Sequence, residues 1–184
     1  QRPCLGSSFY TIIWTQLNQM GFKDLHIQNY QELISLFVND NKPGLLVNIA
    51  DIGFGFSQIF PIVVQGLFMP KGHVLLLEQP EIHLHPALQM KLGDFLIALV
   101  LSGKQIIVET HSEHIINRLI RRIVEDETQI LESRIGISFF TKTSTGVGVE
   151  EVIVNDIFGV QNWPDGFFDQ AVDEKEKYNA PHCQ

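Results

Sequence analysis

The sequence predicts an α/β protein with a parallel sheet flanked by helices, and three observations predict it. First, "HVLLLE" (73–78) and "KQIIVET" (104–110) are short apolar runs that end in polar residues, as central strands covered on both faces do. Second, each run is followed by apolar residues at helical spacing. Residues 73–124 therefore read strand, helix, strand, helix, which implies a right-handed crossover in a parallel sheet. Third, 184 residues with 45% hydrophobic content are enough to build one real core, with room for a short appendage.

The other elements fall into place around that unit. "FYTIIWTQLNQMGF" (9–22) carries Ile12, Ile13, Leu17 and Met20 at helical spacing and ends at Gly21, a C-cap. "DLHIQ", "QELISLFVN" and "GLLVNI" read as short strands, separated by polar residues or by the break Lys42-Pro43-Gly44. "DIGFGFSQ" (51–58) reads as a glycine-containing loop, and "QIFPIVVQGLF" (58–68) as a buried helix with Pro61 in its first turn. "PALQMKLGDFLIALVL" (86–101) is a helix with Pro86 at its start and Leu88, Leu92, Phe95, Leu96 and Leu99 inward. "SEHIINRLIRRIVEDE" is a helix capped by Ser112, with Ile115, Ile116, Leu119, Ile120 and Ile123 inward. "RIGISFFTK" and "GVEEVIV" are two later strands around a Thr-Ser-Thr-Gly turn.

Charge and cysteine usage exclude several classes. A formal charge of -8 argues against nucleic-acid binding through overall charge. Arg118, Arg121 and Arg122 form the one basic cluster, and a solvated helix face explains it equally well. Cys4 and Cys183, at the two ends, build no disulfide framework, so a cytoplasmic chain is expected. No apolar run is long enough for a membrane span, and no membrane partner is expected.

Parallel strands place ligands at their carboxyl ends. Here those ends carry Glu78, Gln79 and Glu81 after one strand, and Glu109, Thr110 and His111 after the next. A carboxylate after an apolar strand suits Mg²⁺, a nearby carboxylate or amide can orient water, and a neighbouring histidine can contact a terminal phosphate. Zinc is the competing reading for His83, His85, His111 and His114. It is disfavoured because His83 and His85 point apart in an extended segment. A polar turn with His85 as a helix cap is the plainest alternative.

"VLLLEQPEIHLHPALQ" resembles the Walker B and D-loop region of ABC-type ATPases of the SMC, RecF and OLD-like group, within the AAA ATPases. "IIVETHSEHIINRL" resembles their switch-histidine strand and following helix, and "NIADIGFGFSQIFPIV" lies where they carry the signature motif. "NWPDGFFDQ" resembles the end of an uncharacterised C-terminal domain found behind such bacterial ATPases. The resemblance implies an ABC-ATPase-like P-loop NTPase core over residues 1–130 and a family-specific tail over 131–184. It implies ATP and Mg²⁺ as cofactors, with Glu78 at the metal. Gln79 stands in the place of the usual catalytic glutamate, Glu81 is the nearest alternative base, and His111 is the switch histidine. Asp51, Gly53, Gly55 and Ser57, together with His83 and His85, would meet the nucleotide across a homodimer.

No G-x-x-x-x-G-K-[ST] occurs in these residues, and Gly103-Lys104 belongs to a loop entering a strand. The chain therefore reads as the C-terminal portion of an ATPase whose P-loop lies on an N-terminal segment or another subunit. DNA-linked work, or phage defence beside a nuclease partner, is what the resemblance implies. A nucleotide-sensing assembly module with little turnover, and a metal-dependent nuclease or hydrolase, are the alternatives.

Overall fold

The structure, a computed structural model, describes residues 7–30, 33–39, 45–144, 146–155 and 159–168. The Lys42-Pro43-Gly44 break, both cysteines, Thr145 of the expected turn and the last two residues of "NWPDGFFDQ" lie outside them. The chain forms two compact units, Gln1–Ile115 and Ile116–Gln184.

The first unit opens with helix α1 (Ser7–Met20). Its end is a Schellman motif: Gly21 has φ +103, its N–H reaches Asn18 O at 2.9 Å, and Phe22 N–H reaches Leu17 O at 2.9 Å. Leu17 is fully buried, so the cap also anchors the helix in the core. Strands β1 (Lys23–Tyr30), β2 (Leu33–Asn39) and β3 (Leu46–Asn48) follow as an antiparallel sheet in that order, with Ile27 opposite Leu36 and Val38 opposite Val47.

Helix α2 runs Phe54–Phe68. This corrects two expectations. "DIGFGFSQ" is not a loop throughout, because Gly53 is the N-cap and Phe54–Ser57 form the first turn. Pro61 consequently sits inside the helix rather than in its first turn. The apolar spacing of Phe56, Ile59, Ile62 and Val63, all buried, outweighs the single backbone bond that Pro61 cannot donate.

Strand β4 (Val74–Glu78), helix α3 (Pro86–Leu101) and strand β5 (Gln105–Glu109) form the expected parallel βαβ unit, in register from Val74 opposite Gln105 to Glu78 opposite Glu109. His85 caps α3, its Nδ1 accepting from Ala87 N–H at 3.2 Å, and Pro86 occupies the first turn. Leu92, Phe95, Leu96 and Leu99 are buried as their spacing requires. The expectation that "HVLLLE" is covered on both faces does not hold. Among the described residues β4 pairs with β5 alone, and one face stands open, with Val74 47%, Leu76 70% and Ile107 52% exposed.

Two contacts fix α2. Lys104 Nζ donates to Gly66 O at 2.5 Å and to Leu67 O at 3.2 Å, placing a cation at the carboxyl end of the helix. Burial holds its ammonium pKa below the ordinary lysine range. Gly66 lets α2 and α3 approach closely, since a Cβ there would stand 2.6 Å from Leu99 Cδ1 and 3.3 Å from the Phe95 ring. Gly66→Ala should therefore destabilise the protein by about 1–2 kcal/mol, even after the better helix propensity of alanine is counted. Urea denaturation of Gly66→Ala, Leu99→Ala and the double variant checks this. The double variant should lose less than the two single losses added together.

Helix α4 (Glu113–Val124) begins in the first unit and continues into the second. Of its arginines, Arg121 Nε lies 2.6 Å and Arg122 Nη1 3.2 Å from the Glu125 carboxylate. These bonds, that of Arg121 foremost, hold the Glu125 carboxyl below its usual range. Two of the three basic residues are thus spent on a local ion pair, as on a solvated helix face. Asp126 then accepts from Thr128 and from Leu131 N–H, which lowers its pKa and orders the turn that leaves the helix.

Strands β6 (Ile137–Thr143) and β7 (Gly146–Val152) form an antiparallel hairpin, followed by the short pair β8 (Val154–Asn155) and β9 (Gly159–Val160). Asn162 imitates a strand partner: its Oδ1 accepts from Ile153 N–H at 2.7 Å and its Nδ2 donates to Glu151 O at 2.7 Å. The tail then turns at Gly166, φ +82, and buries Phe167 against Phe139 and Trp163, with ring centroids at 5.2 and 5.0 Å. The tail motif therefore docks on its own hairpin, with Trp163 as its half-exposed outer wall.

Candidate functional site

The parallel register brings Glu78 and Glu109 side by side at the carboxyl ends of β4 and β5. Strand alternation puts both carboxylates on the open face with Val74, Leu76 and Ile107. Like charges placed opposite each other repel, so this pair favours a cation between or beside it.

The backbone then turns sharply. Gln79 has φ +44, and its N–H donates to Glu109 O at 2.8 Å, extending the ladder by one bond. His83 has φ +63, and the turn closes through Ile82 N–H to Gln79 O at 3.3 Å and Leu84 N–H to Glu81 O at 2.9 Å. A left-handed conformation costs a side-chain-bearing residue about 1–2 kcal/mol. Two such residues within five positions mark a turn held in shape by its surroundings, with Pro80 and Leu84 buried beneath it.

Glu81 joins this turn to the segment after β5. Its Oε1 accepts from His111 N–H at 2.7 Å. Its Oε2 is buried without a hydrogen-bond partner among the described residues. A carboxyl oxygen so placed is a buried polar atom with its hydrogen-bonding capacity unused. His111 and His83 are exposed at the same end of the sheet.

The start of α2 meets the turn from the other side. The Phe54 ring lies 5.2 Å from the His83 ring, and a Cβ on Gly55 would rest 3.6 Å from His83 O. Gly53 supplies no side-chain cap, and Asp51 and Ser57 are exposed at the same helix start.

The structure thus gathers Glu78, Gln79, Glu81, His83 and His111 at one sheet end, and brings Gly53 and Gly55 to it through Phe54 and His83. His85 is turned into α3 as its cap. Among the described residues, no group of three or more His, Cys, Asp or Glu is assembled to hold a metal ion, as the zinc reading requires. A Mg²⁺–nucleotide fits the residues present better. Mg²⁺ commonly takes only one or two protein carboxylates, with water and phosphate completing its shell.

The sequence reading missed Gln89. Its Nε2 donates to Leu84 O at 2.8 Å, and its Oε1 accepts from Ser112 Oγ at 2.5 Å. On a helical wheel it is one more polar residue, and the 23-residue separation from Ser112 leaves no local signal.

A parallel βαβ unit with acidic strand ends, a strained turn after the first strand and a histidine after the second defines an α/β protein with its candidate ligand site at the carboxyl edge of the sheet. Residues 10–116 match the AAA ATPase domain family, and the chain belongs to that family. Residues 130–177 match a family described as a protein of unknown function (DUF3696). No curated protein matches the chain. Among solved structures, one from work on ATP-driven dimerization and DNA stimulated activation of SMC ATPases superposes with TM-score 0.58. It has 11% identity, over 92% of this chain and 90% of that one. The Smc head domain of Pyrococcus furiosus, with an extended coiled coil and bound to the C-terminal domain of ScpA, gives TM-score 0.55 at 9% identity. That match covers 92% of this chain and 37% of the other. At such identities the likeness shows the fold, which is that of the SMC ATPase head. Among the described residues, no helix is long and apolar enough to cross a membrane.

Proposed function

We propose that this chain is the metal-binding and switch portion of an ABC-type ATPase, working as a nucleotide-dependent dimer in a DNA-linked process. One observation supports this above the others: Glu78 and Glu109 end two parallel strands on an open apolar face, next to the turn that carries a half-buried Glu81, whose Oε2 has no hydrogen-bond partner among the described residues. Both faces of a parallel sheet are normally covered. The open face suits a P-loop-bearing segment, which would complete the sheet and supply the phosphate cradle that residues 1–184 lack. The exposed start of α2, with Asp51, Gly53, Gly55 and Ser57, suits the nucleotide of a second subunit.

Bound Mg²⁺–ATP supplies the phosphoanhydride and the charge neutralisation that its cleavage needs. Within the chain, Glu78 offers the carboxylate for the metal. Gln79 can orient a water but cannot take its proton, and the strained backbone at position 79 fixes where that amide starts. Glu81 holds the His111 backbone through one oxygen, and its carboxylate is the nearest alternative base to Gln79 in the chain. His111, exposed beside it, can contact the terminal phosphate. This division of labour implies slow turnover, suited to a switch that holds its nucleotide.

The test is ATP hydrolysis by the protein carrying both this chain and a P-loop segment. Gln79→Glu, which restores a general base, should raise turnover by about tenfold to a hundredfold, while Glu81→Gln and His111→Ala should lower it. Indifference to all three substitutions would sink the assignment.

A further inference from the structure

The hydrogen bonds around Gln89 have only one consistent direction. Leu84 O can only accept, so the Gln89 amide must turn its Nε2 to it, at 2.8 Å, which leaves Oε1 facing Ser112 Oγ. An amide oxygen can only accept, so Ser112 Oγ gives its proton to Gln89 Oε1 at 2.5 Å and, as the cap of α4, accepts from Ile115 N–H at 3.0 Å. The chain of bonds runs from the α4 cap through the first turns of α3 to the last part of the turn after β4. Ser112 is buried and its N–H is also held, by Thr110 Oγ1 at 3.0 Å. Buried polar chains of this kind are rigid when complete and costly when one member is lost.

A second tie lies alongside the first, where Glu81 Oε1 accepts from His111 N–H at 2.7 Å. The two ties start three residues apart in the turn, at Glu81 and Leu84, and end at adjacent residues, His111 and Ser112. Two separated bonds between the same two segments resist both sliding and rotation, which one bond does not.

We propose that Gln89 is a positioning residue that locks the turn 79–85 to the α4 cap, so that the segment carrying His83 and the segment carrying His111 move as one body. The linkage follows from the bonds alone. Its use rests on the ATPase reading: a nucleotide sensed at His111 would be felt at the turn facing the second subunit. Both polar atoms of the Gln89 amide are already bonded, so it acts through the two segments it joins.

Amide hydrogen exchange on the full-length protein tests this in two arms. Without nucleotide, Gln89→Met should speed exchange at Ile82, Leu84, His111 and Ile115 together, by about tenfold, the scale of one lost buried hydrogen bond. Ser112→Asp keeps an acceptor for Ile115 N–H but has no proton to give Gln89. It should loosen Ile82 and Leu84 while leaving Ile115 protected, and it carries the test if Gln89→Met does not fold. Ser112→Thr retains both functions and should behave as the parent. A purely local role predicts faster exchange only beside each substitution, and that outcome overturns the linkage. In the second arm, Mg²⁺–ATP should slow exchange at both segments in the parent and at His111 alone in Gln89→Met. Protection reaching both segments in Gln89→Met as in the parent would overturn the coupling. No protection in any variant, with the first arm intact, would sink the ATPase reading and leave the linkage standing.

Discussion

Glu78→Gln should abolish Mg²⁺-dependent ATP hydrolysis, with a loss of about a hundredfold to a thousandfold, and should not destabilise the fold. The two halves of this expectation have separate causes. Glu78 is exposed at the end of β4 with Glu109 as its register partner. Removing one of two facing carboxylates relieves repulsion, so the melting temperature should hold or rise slightly. If Glu78 served only to shape the sheet end, stability and activity would fall together. Glu109→Gln relieves the same repulsion and is the matched control. Its turnover should fall less, because Glu78 carries the metal in this reading. Equal losses in the two variants would move the metal site to the pair, and unchanged turnover in Glu78→Gln would remove it from β4. Chelating Mg²⁺ from the parent should reproduce the activity loss of Glu78→Gln, and adding Mg²⁺ should stabilise the parent more than the variant.

How much of this was legible in the sequence depends on how local each cause is. Helix α3 was readable to its end residues because Pro86 and the Leu92, Phe95, Leu96 and Leu99 stripe are local signals. His85 and Ser112 were readable as caps for the same reason. The start of α2 was misread because glycines at 53 and 55 punctuate like a loop and Pro61 looks like a first-turn proline. The burial of Phe56 and Ile59, a tertiary effect, decided otherwise. The open face of β4 was illegible, since "VLLL" reads the same whether its cover comes from this chain or from another segment. The strand ends announced Glu78, Gln79, Glu81 and His111, and the resemblance gave them roles. No period or spacing could announce that Glu81 bonds the His111 backbone or that Gln89 bridges Leu84 and Ser112. Those are contacts across 30 and 23 residues, fixed only once the βαβ crossover is formed.

Phe56→Ala should cost about 3–5 kcal/mol, the largest loss of stability expected from any single substitution at the start of α2. Phe56 is 1% exposed, lies edge-on to Phe22 at 4.9 Å and stacks with Phe60 at 5.4 Å. It is the one buried residue in the first turn of α2, between the exposed Phe54 and Ser57. Gly53 gives that turn no side-chain cap, and Pro61 cannot donate to the Ser57 carbonyl. The turn thus lacks a side-chain cap and one backbone bond, and Phe56 supplies most of the burial that offsets them. Against a typical domain stability of about 5–15 kcal/mol, the loss leaves a folded but weakened protein. Phe56→Leu, which refills most of the volume, should recover a large part of the loss. The two variants separate anchoring from nucleotide contact. If the turn acts only as a docking surface for the second subunit, Phe56→Leu should keep ATP-dependent dimerisation near the parent level at temperatures where it stays folded. Phe56→Ala should lose dimerisation in proportion to its faster exchange at residues 54–57. A parent-like stability for Phe56→Ala in urea denaturation would show that something other than this ring holds the start of α2.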